Sequence, residues 1–257
     1  MSVLRDVIHK ADSQPEMTKE IKETLNLLYE LSEQKAKNFE SNIDSSLRSA
    51  GTTENQTVPT KFKLASHQEI RVTTAKTPDT DIVTGIGNSL KDILAGTKDS
   101  IIGGLADLIN TSLKAVLGAG EGEERMQQTY YIATEGMSIV RLDLICWSRH
   151  ITASGITKYA EKSLVCAAVK SSVDLEKLDF NSFLSTYNAQ LVRCKFKDNE
   201  LMEEIKNARY IYDTLCGKNT LKAGIASANA SILPDQNAKF DNIISNVCNS
   251  VKTQWPN

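Results

Sequence analysis

Aromatic side chains are scarce in this chain, at 6% of 257 residues, and the stretch Asp81–Glu124 contains none. A basic excess is also missing, because 30 Lys and Arg face 32 Asp and Glu for a net charge of −2. Nucleic-acid binders carry a clustered positive face, so nucleic acid is not an expected partner. No uncharged apolar run reaches the ~18 residues that a constitutive membrane span requires. The opening residues MSVLRDVIHKADSQPE have no long apolar core and include Asp6 and Asp12, unlike a secretory signal. Synthesis in the cytoplasm is therefore expected, with any later release by an unsignalled route or by lysis. The three histidines, His9, His67 and His150, are scattered. The five cysteines at 146, 166, 194, 216 and 248 form no C-x-x-C pair, so neither a metal nor a cofactor is expected. Signatures of hydrolases, zinc peptidases, dinucleotide binders and P-loop enzymes are all missing.

Glycine and aliphatic residues are abundant at the centre. Eight of the 13 glycines fall within DIVTGIGNSLKDILAGTKDSIIGGLADLINTSLKAVLGAGEGEE, residues 81–124. The aliphatic residues there keep helical spacing: Ile82, Ile86, Leu90 and Ile93, then Ile101, Leu105 and Leu108, then Leu113, Val116 and Leu117. Lys91, Asp92, Lys98, Asp99, Asp107 and Lys114 fall mostly on the other face. Ser-Leu-Lys at 89–91 returns as Ser-Leu-Lys at 112–114, 23 residues on. The spacing predicts two similar amphipathic helices folded back near Gly96 or Gly103–Gly104. Glycine costs a helix about 1 kcal/mol relative to alanine, so such helices need a partner surface. That surface is either the protein's own core or a lipid. For the lipid reading the contact residues are Ile86, Leu90, Ile93, Ile101, Leu105, Leu108, Leu113 and Val116.

Around this centre the chain divides into an N-terminal helical region (1–50), a linker with a small β-hairpin (51–80), the glycine-rich segment (81–124) and a mixed core (125–257), most simply as one compact unit. A short helix is expected over residues 2–10. Met17, Ile21, Leu25, Leu28, Ala36, Phe39, Ile43 and Leu47 predict one long helix. Residues 61–64 and 69–74 alternate like the two arms of the hairpin. Asp79, Thr80 or Asp81 is placed to cap the next helix. Alternation of Val140, Leu142, Leu144 and Cys146 with Arg141, Asp143 and Ile145 favours a strand over 137–147, in which a buried Arg141 and Asp143 would need partners. Residues 155–173 read as a buried helix. Further helices are expected from Asp179, over 199–215 ending at Gly217, and along Phe240, Ile243, Ile244, Val247 and Val251. The fold class expected is α+β, helix-dominated, with few short strands covered by helices.

Two kinds of cysteine chemistry fit. Cys146 and His150, four apart, would meet on a helix face as a thiolate–imidazole pair, although the apolar surroundings favour an inert thiol. A thiol beside small residues could instead carry a buried acyl chain, each CH₂ contributing ~0.8 kcal/mol. Cys166, followed by Ala167 and Ala168, and Cys194, within LVRCKF, are the attachment candidates. The glycine-rich centre IGNSLKDILAG…IIGGLADLIN and the block TEGMSIVRLDLICWSRH resemble the bacterial virulence factor Evf family. That resemblance implies an unusual α/β fold, covalent palmitate on a cysteine in a hydrophobic cavity, membrane lipids as partner, and a role at host membranes without catalysis. It does not assign the acylated cysteine to one position. The alternatives are an α-helical pore former without lipid, and an enzyme built on Cys146 and His150.

Overall fold

The computed structural model describes residues 19–73, 78–118, 123–151, 157 and 160–216. The expected N-terminal helix at 2–10, the C-terminal helix at 240–251 and Cys248 lie outside the described residues. The described residues fall within one compact unit.

The long helix forms as its periodicity requires: α1 is Lys19–Ser49, 31 residues, with Leu25, Leu28, Ala36, Phe39, Ile43 and Leu47 buried. Strand β1, Thr60–Thr73, follows. Next come α2 (Asp79–Ile93) and α3 (Asp99–Leu117), joined by a turn in which Gly96 takes φ 104°. L-residues rarely adopt that value, so the chain reverses at Gly96, while Gly103 and Gly104 lie inside α3. The first turn of α2 has Pro78 at its N-cap with no side-chain cap, and Asp79 is already helical. Its carboxylate accepts from Lys162 Nζ at 2.8 and 3.0 Å instead of capping.

Strands β2 (Glu124–Glu135) and β3 (Ser138–His150) form a hairpin across Gly136, φ 56°. β4 is Lys162–Val173. Asp179 caps α4 (Phe180–Arg193), accepting from the Asn181 and Ser182 amides, and α5 is Asp198–Leu215. α5 ends before Gly217, with Cys216 as its C-cap.

The sheet overturns the helix-dominated expectation of few short strands. Four antiparallel strands of 14, 12, 13 and 12 residues pair in the order β1-β4-β3-β2. β2 was not anticipated, and two local readings account for the rest of the error. The expected small hairpin at 61–74 is one strand, bulged near Thr60–Phe62 and Lys63–Ala65. The bulges disturb the period-2 pattern that would have joined its halves. Within the stretch 155–173 read as a buried helix, Lys162–Val173 form β4, a central strand with Ser163–Ser171 buried on both faces. A strand covered on both sides loses its alternation and reads like a buried helix. The strand expected over 137–147 is present as β3.

Successive residues of β3 point to opposite layers. Val140, Leu142, Leu144 and Cys146 pack in one cluster with α2 and α3. Ile145 and Trp147 face the opposite side, against Ala36, Phe39, Ile43 and Leu47 of α1. Ile139 shares that side but meets Phe180, Phe183, Tyr187 and Ile211 of α4 and α5. The sheet is thus covered by the α2–α3 hairpin on one face and by α1 with α4–α5 on the other.

Candidate functional site

The layer between the α2–α3 hairpin and the sheet gathers most of the residues singled out above. Ile86, Leu90, Ile101, Leu105, Leu113 and Val116 are all buried, at no more than 2% exposure, and Ile93 and Leu108 are partly buried beside them. Fully burying an aliphatic side chain of this size contributes about 1.5–3 kcal/mol. The apolar stripe is therefore occupied by Val140, Leu142, Leu144, Leu164 and Ala168 of the sheet. Asp107, Thr111 and Lys114 of α3 stay exposed on its outer face.

Close approach explains two of the glycines. A Cβ on Gly87 would stand 2.8 Å from Asn110 Oδ1 of α3, so the two helices pack with no spare room there. A Cβ on Gly104 would stand 2.6 Å from Cys194 Cβ, which seats the end of α4 on α3. Gly103, one residue earlier, has nothing within 4 Å of such a Cβ.

Polar ties hold the hairpin at its start, turn and end. Lys162 holds Asp79 at the start. At the turn Thr97 bridges to Glu135 of β2, and Lys98 Nζ lies 3.4 Å from Glu204 Oε2. Glu204 is itself buried and accepts from Tyr187 Oη at 3.0 Å and Thr134 Oγ1 at 2.5 Å. Burial, and then the neighbouring Glu204 charge, push the Tyr187 hydroxyl well above its ordinary pKa. At the end Ser148 Oγ donates to the Val116 carbonyl at 2.6 Å, satisfying a terminal helix carbonyl. Ser112 and Tyr131 hydroxyls pair at 3.0 Å between these points.

The cysteines separate clearly. Cys146 and Cys166 are direct cross-strand partners on β3 and β4, and the Cys166 thiol donates to Cys146 Sγ at 2.9 Å. Both are 1% exposed, and burial, then the contact with Cys146, raises Cys166 well above the usual thiol range. Cys166 thus packs sulfur against sulfur, and the Ala167 and Ala168 that follow it are themselves buried. Cys194 is half-buried beside Gly104, its thiol pushed up to about 11 by burial, with Arg193 opposing. Five clefts of about 200–370 Å³ among the described residues have neither Cys166 nor Cys194 in their walls. The thiolate–imidazole pair does not form. Cys146 and His150 lie four apart on an extended strand, which spaces them about 13 Å, and His150 instead pairs with Glu161 at 3.2 Å. Among the described residues no group of three or more His, Cys, Asp and Glu is placed to hold a metal ion.

Sequence reasoning missed Gln190. β2 is an edge strand, and the Gln190 amide of α4 spans the outward-facing backbone of Ile132, accepting from its N–H at 2.8 Å and donating to its C=O at 2.7 Å. The side chain completes the ladder at that residue as a further strand would. Only its position on the inner face of α4, beside Tyr187 and Leu191, hinted at burial.

No family model matches the chain, and no curated protein or solved structure matches it.

Proposed function

We propose that this is a membrane-associating, toxin-like protein whose lipid-binding element is the α2–α3 hairpin. The observation that carries this reading is α3 itself: 19 residues in one unbroken helix, with a mean hydropathy of 1.2 over 18 residues, long and apolar enough by composition to cross a bilayer. Its apolar stripe is stored against the sheet, and its polar ties sit near the ends of the two helices and at Ser112, which pairs with Tyr131 and accepts from Gln127 at 3.3 Å. Exchange of a protein surface for a lipid surface leaves the aliphatic burial nearly unchanged, because both partners are apolar. The ties at Asp79, Thr97, Lys98, Ser112 and Val116, together with the apolar sheet face left uncovered, then set the cost of release.

Vesicles of mixed zwitterionic and anionic phospholipid test this directly. Wild-type protein should float with the vesicles and release a trapped dye. A Thr97→Cys/Glu135→Cys pair, oxidised to pin the turn to β2, should suppress leakage until a reductant is added. Wild-type protein that neither floats nor causes leakage defeats the proposal.

Acylation, implied by the Evf resemblance, fits Cys194 better than Cys166 on one observation. Cys194 is half-buried at the rim of the hairpin, whereas the Cys166 sulfur is enclosed against Cys146. An acyl chain on Cys194 would lie beside Gly104 of α3 and add to the same apolar surface. Intact mass before and after hydroxylamine tests it, since a thioester-linked palmitoyl group is lost on that treatment.

A further inference from the structure

We infer that Cys146 and Cys166 form a dithiol–disulfide site, a modification centre built into the face of the sheet beneath the hairpin. Lipid binding is not required for it. The two residues are in register on adjacent antiparallel strands, so the backbone already brings their Cβ atoms together. Directly opposed strand residues stand about 4.5–5.5 Å apart at Cα, inside the range that a disulfide spans without backbone movement. The sulfurs are in contact at 2.9 Å, and both cysteines are free. Closure to a bond of about 2.05 Å needs a shift of less than an ångström, within reach of side-chain rotation.

The chemistry balances with a small disulfide such as oxidised glutathione as oxidant. One protein thiol, as thiolate, attacks a glutathione sulfur, forms a mixed disulfide and expels one glutathione thiolate. The second protein thiolate attacks the protein-side sulfur and expels the other. The protein pair is oxidised by two electrons, two glutathione thiols are produced, and the two protons lost by the protein end on them.

Burial governs the rate. Each cysteine is 1% exposed, covered by the cluster that contains Ile86, Leu90, Leu105 and Leu113. Burial disfavours ionisation of the Cys166 thiol, and the oxidant reaches the pair only when the hairpin lifts. Oxidation therefore proceeds slowly in the folded protein and, once complete, joins β3 to β4 within a single chain.

The experiment uses the full chain with Cys194, Cys216 and Cys248 replaced by serine, incubated with oxidised glutathione in the absence of lipid and denaturant. The expected product is a monomer lighter by two hydrogens, whose non-reducing digest contains one peptide pair linking Cys146 to Cys166, and which dithiothreitol reverts. Peptide mapping of wild-type protein treated in the same way should show the same link, which guards against misfolding of the triple variant. In Cys166→Ala within that background, Cys146 should instead retain one glutathione. Two separate adducts, a disulfide-linked dimer, or thiols still reduced after prolonged incubation each overturn the inference. Vesicle leakage plays no part in this readout, so failure here and failure of the membrane proposal are separate results.

Discussion

Arg141 and Asp143, two residues apart on β3, join in a bidentate pair at 2.6 and 2.9 Å with both side chains almost wholly buried. Strand alternation puts both on the face toward α1 and α4–α5, in the seam between the Ile145–Trp147 and Ile139 contacts. Arg141 also donates to Thr57 Oγ1 at 2.9 Å and the Val58 carbonyl at 2.7 Å, and stacks 4.2 Å from the Tyr130 ring. Burial pushes the Asp143 carboxyl upward and Arg141 opposes it. The pair thereby ties the 50–59 loop to the sheet.

Removing one partner of this pair should be far worse than removing both. Arg141→Met leaves an uncompensated buried carboxylate and should cost about 3–5 kcal/mol. Arg141→Met/Asp143→Leu should recover most of that loss. Urea unfolding of the wild type, the single and the double variants measures the difference, and additive losses would contradict it.

Adjacent glycines in α3 should respond with opposite signs. Gly103→Ala meets open space and gains helix propensity, so it should stabilise by up to about 1 kcal/mol. Gly104→Ala drives its methyl into Cys194 and should destabilise by about 1–3 kcal/mol. Thermal midpoints of the two variants should move apart on either side of wild type.

Gln190→Leu should leave the buried Ile132 N–H and C=O without partners. The expected loss is about 2 kcal/mol, together with faster amide exchange at Ile132 than at residues of β3. An unchanged Ile132 exchange rate would show that the edge is protected by something else.

The Cys194 thiol predicts a pH-dependent loss of stability at the alkaline end. Its folded value is raised to about 11 from an ordinary 9.0, so its contribution is fully present below pH 9.0. As pH rises the unfolded chain ionises first, and that contribution is lost progressively up to pH of about 11. Denaturation midpoints followed through this window should fall more steeply for wild type than for Cys194→Ser. Parallel curves would remove Cys194 as a cause.

Much of the architecture was legible in local pattern. The stripes Leu25–Leu47, Ile82–Ile93 and Ile101–Leu117 produced α1, α2 and α3, because each helix keeps a polar outer face and so its 3.6-residue period. The alternation at Val140–Cys146 identified β3 in the same way, and the need of Arg141 and Asp143 for partners was visible beside it. β4 was hidden because helices cover both of its faces, and β1 because bulges interrupt its period. The site was half legible: the aliphatic residues declared themselves, but Cys146 against Cys166, Gly104 against Cys194 and Gln190 on Ile132 are contacts between distant segments.

The amino-acid order alone therefore determined which segments are amphipathic, since that depends on spacing, but it left the reversal between α2 and α3 open between Gly96 and Gly103–Gly104, and the structure places it at Gly96. Only the tertiary structure decided which surface each apolar stripe covers and which thiols touch. Strand register and helix docking set those distances, and both arise from packing among residues far apart in the chain.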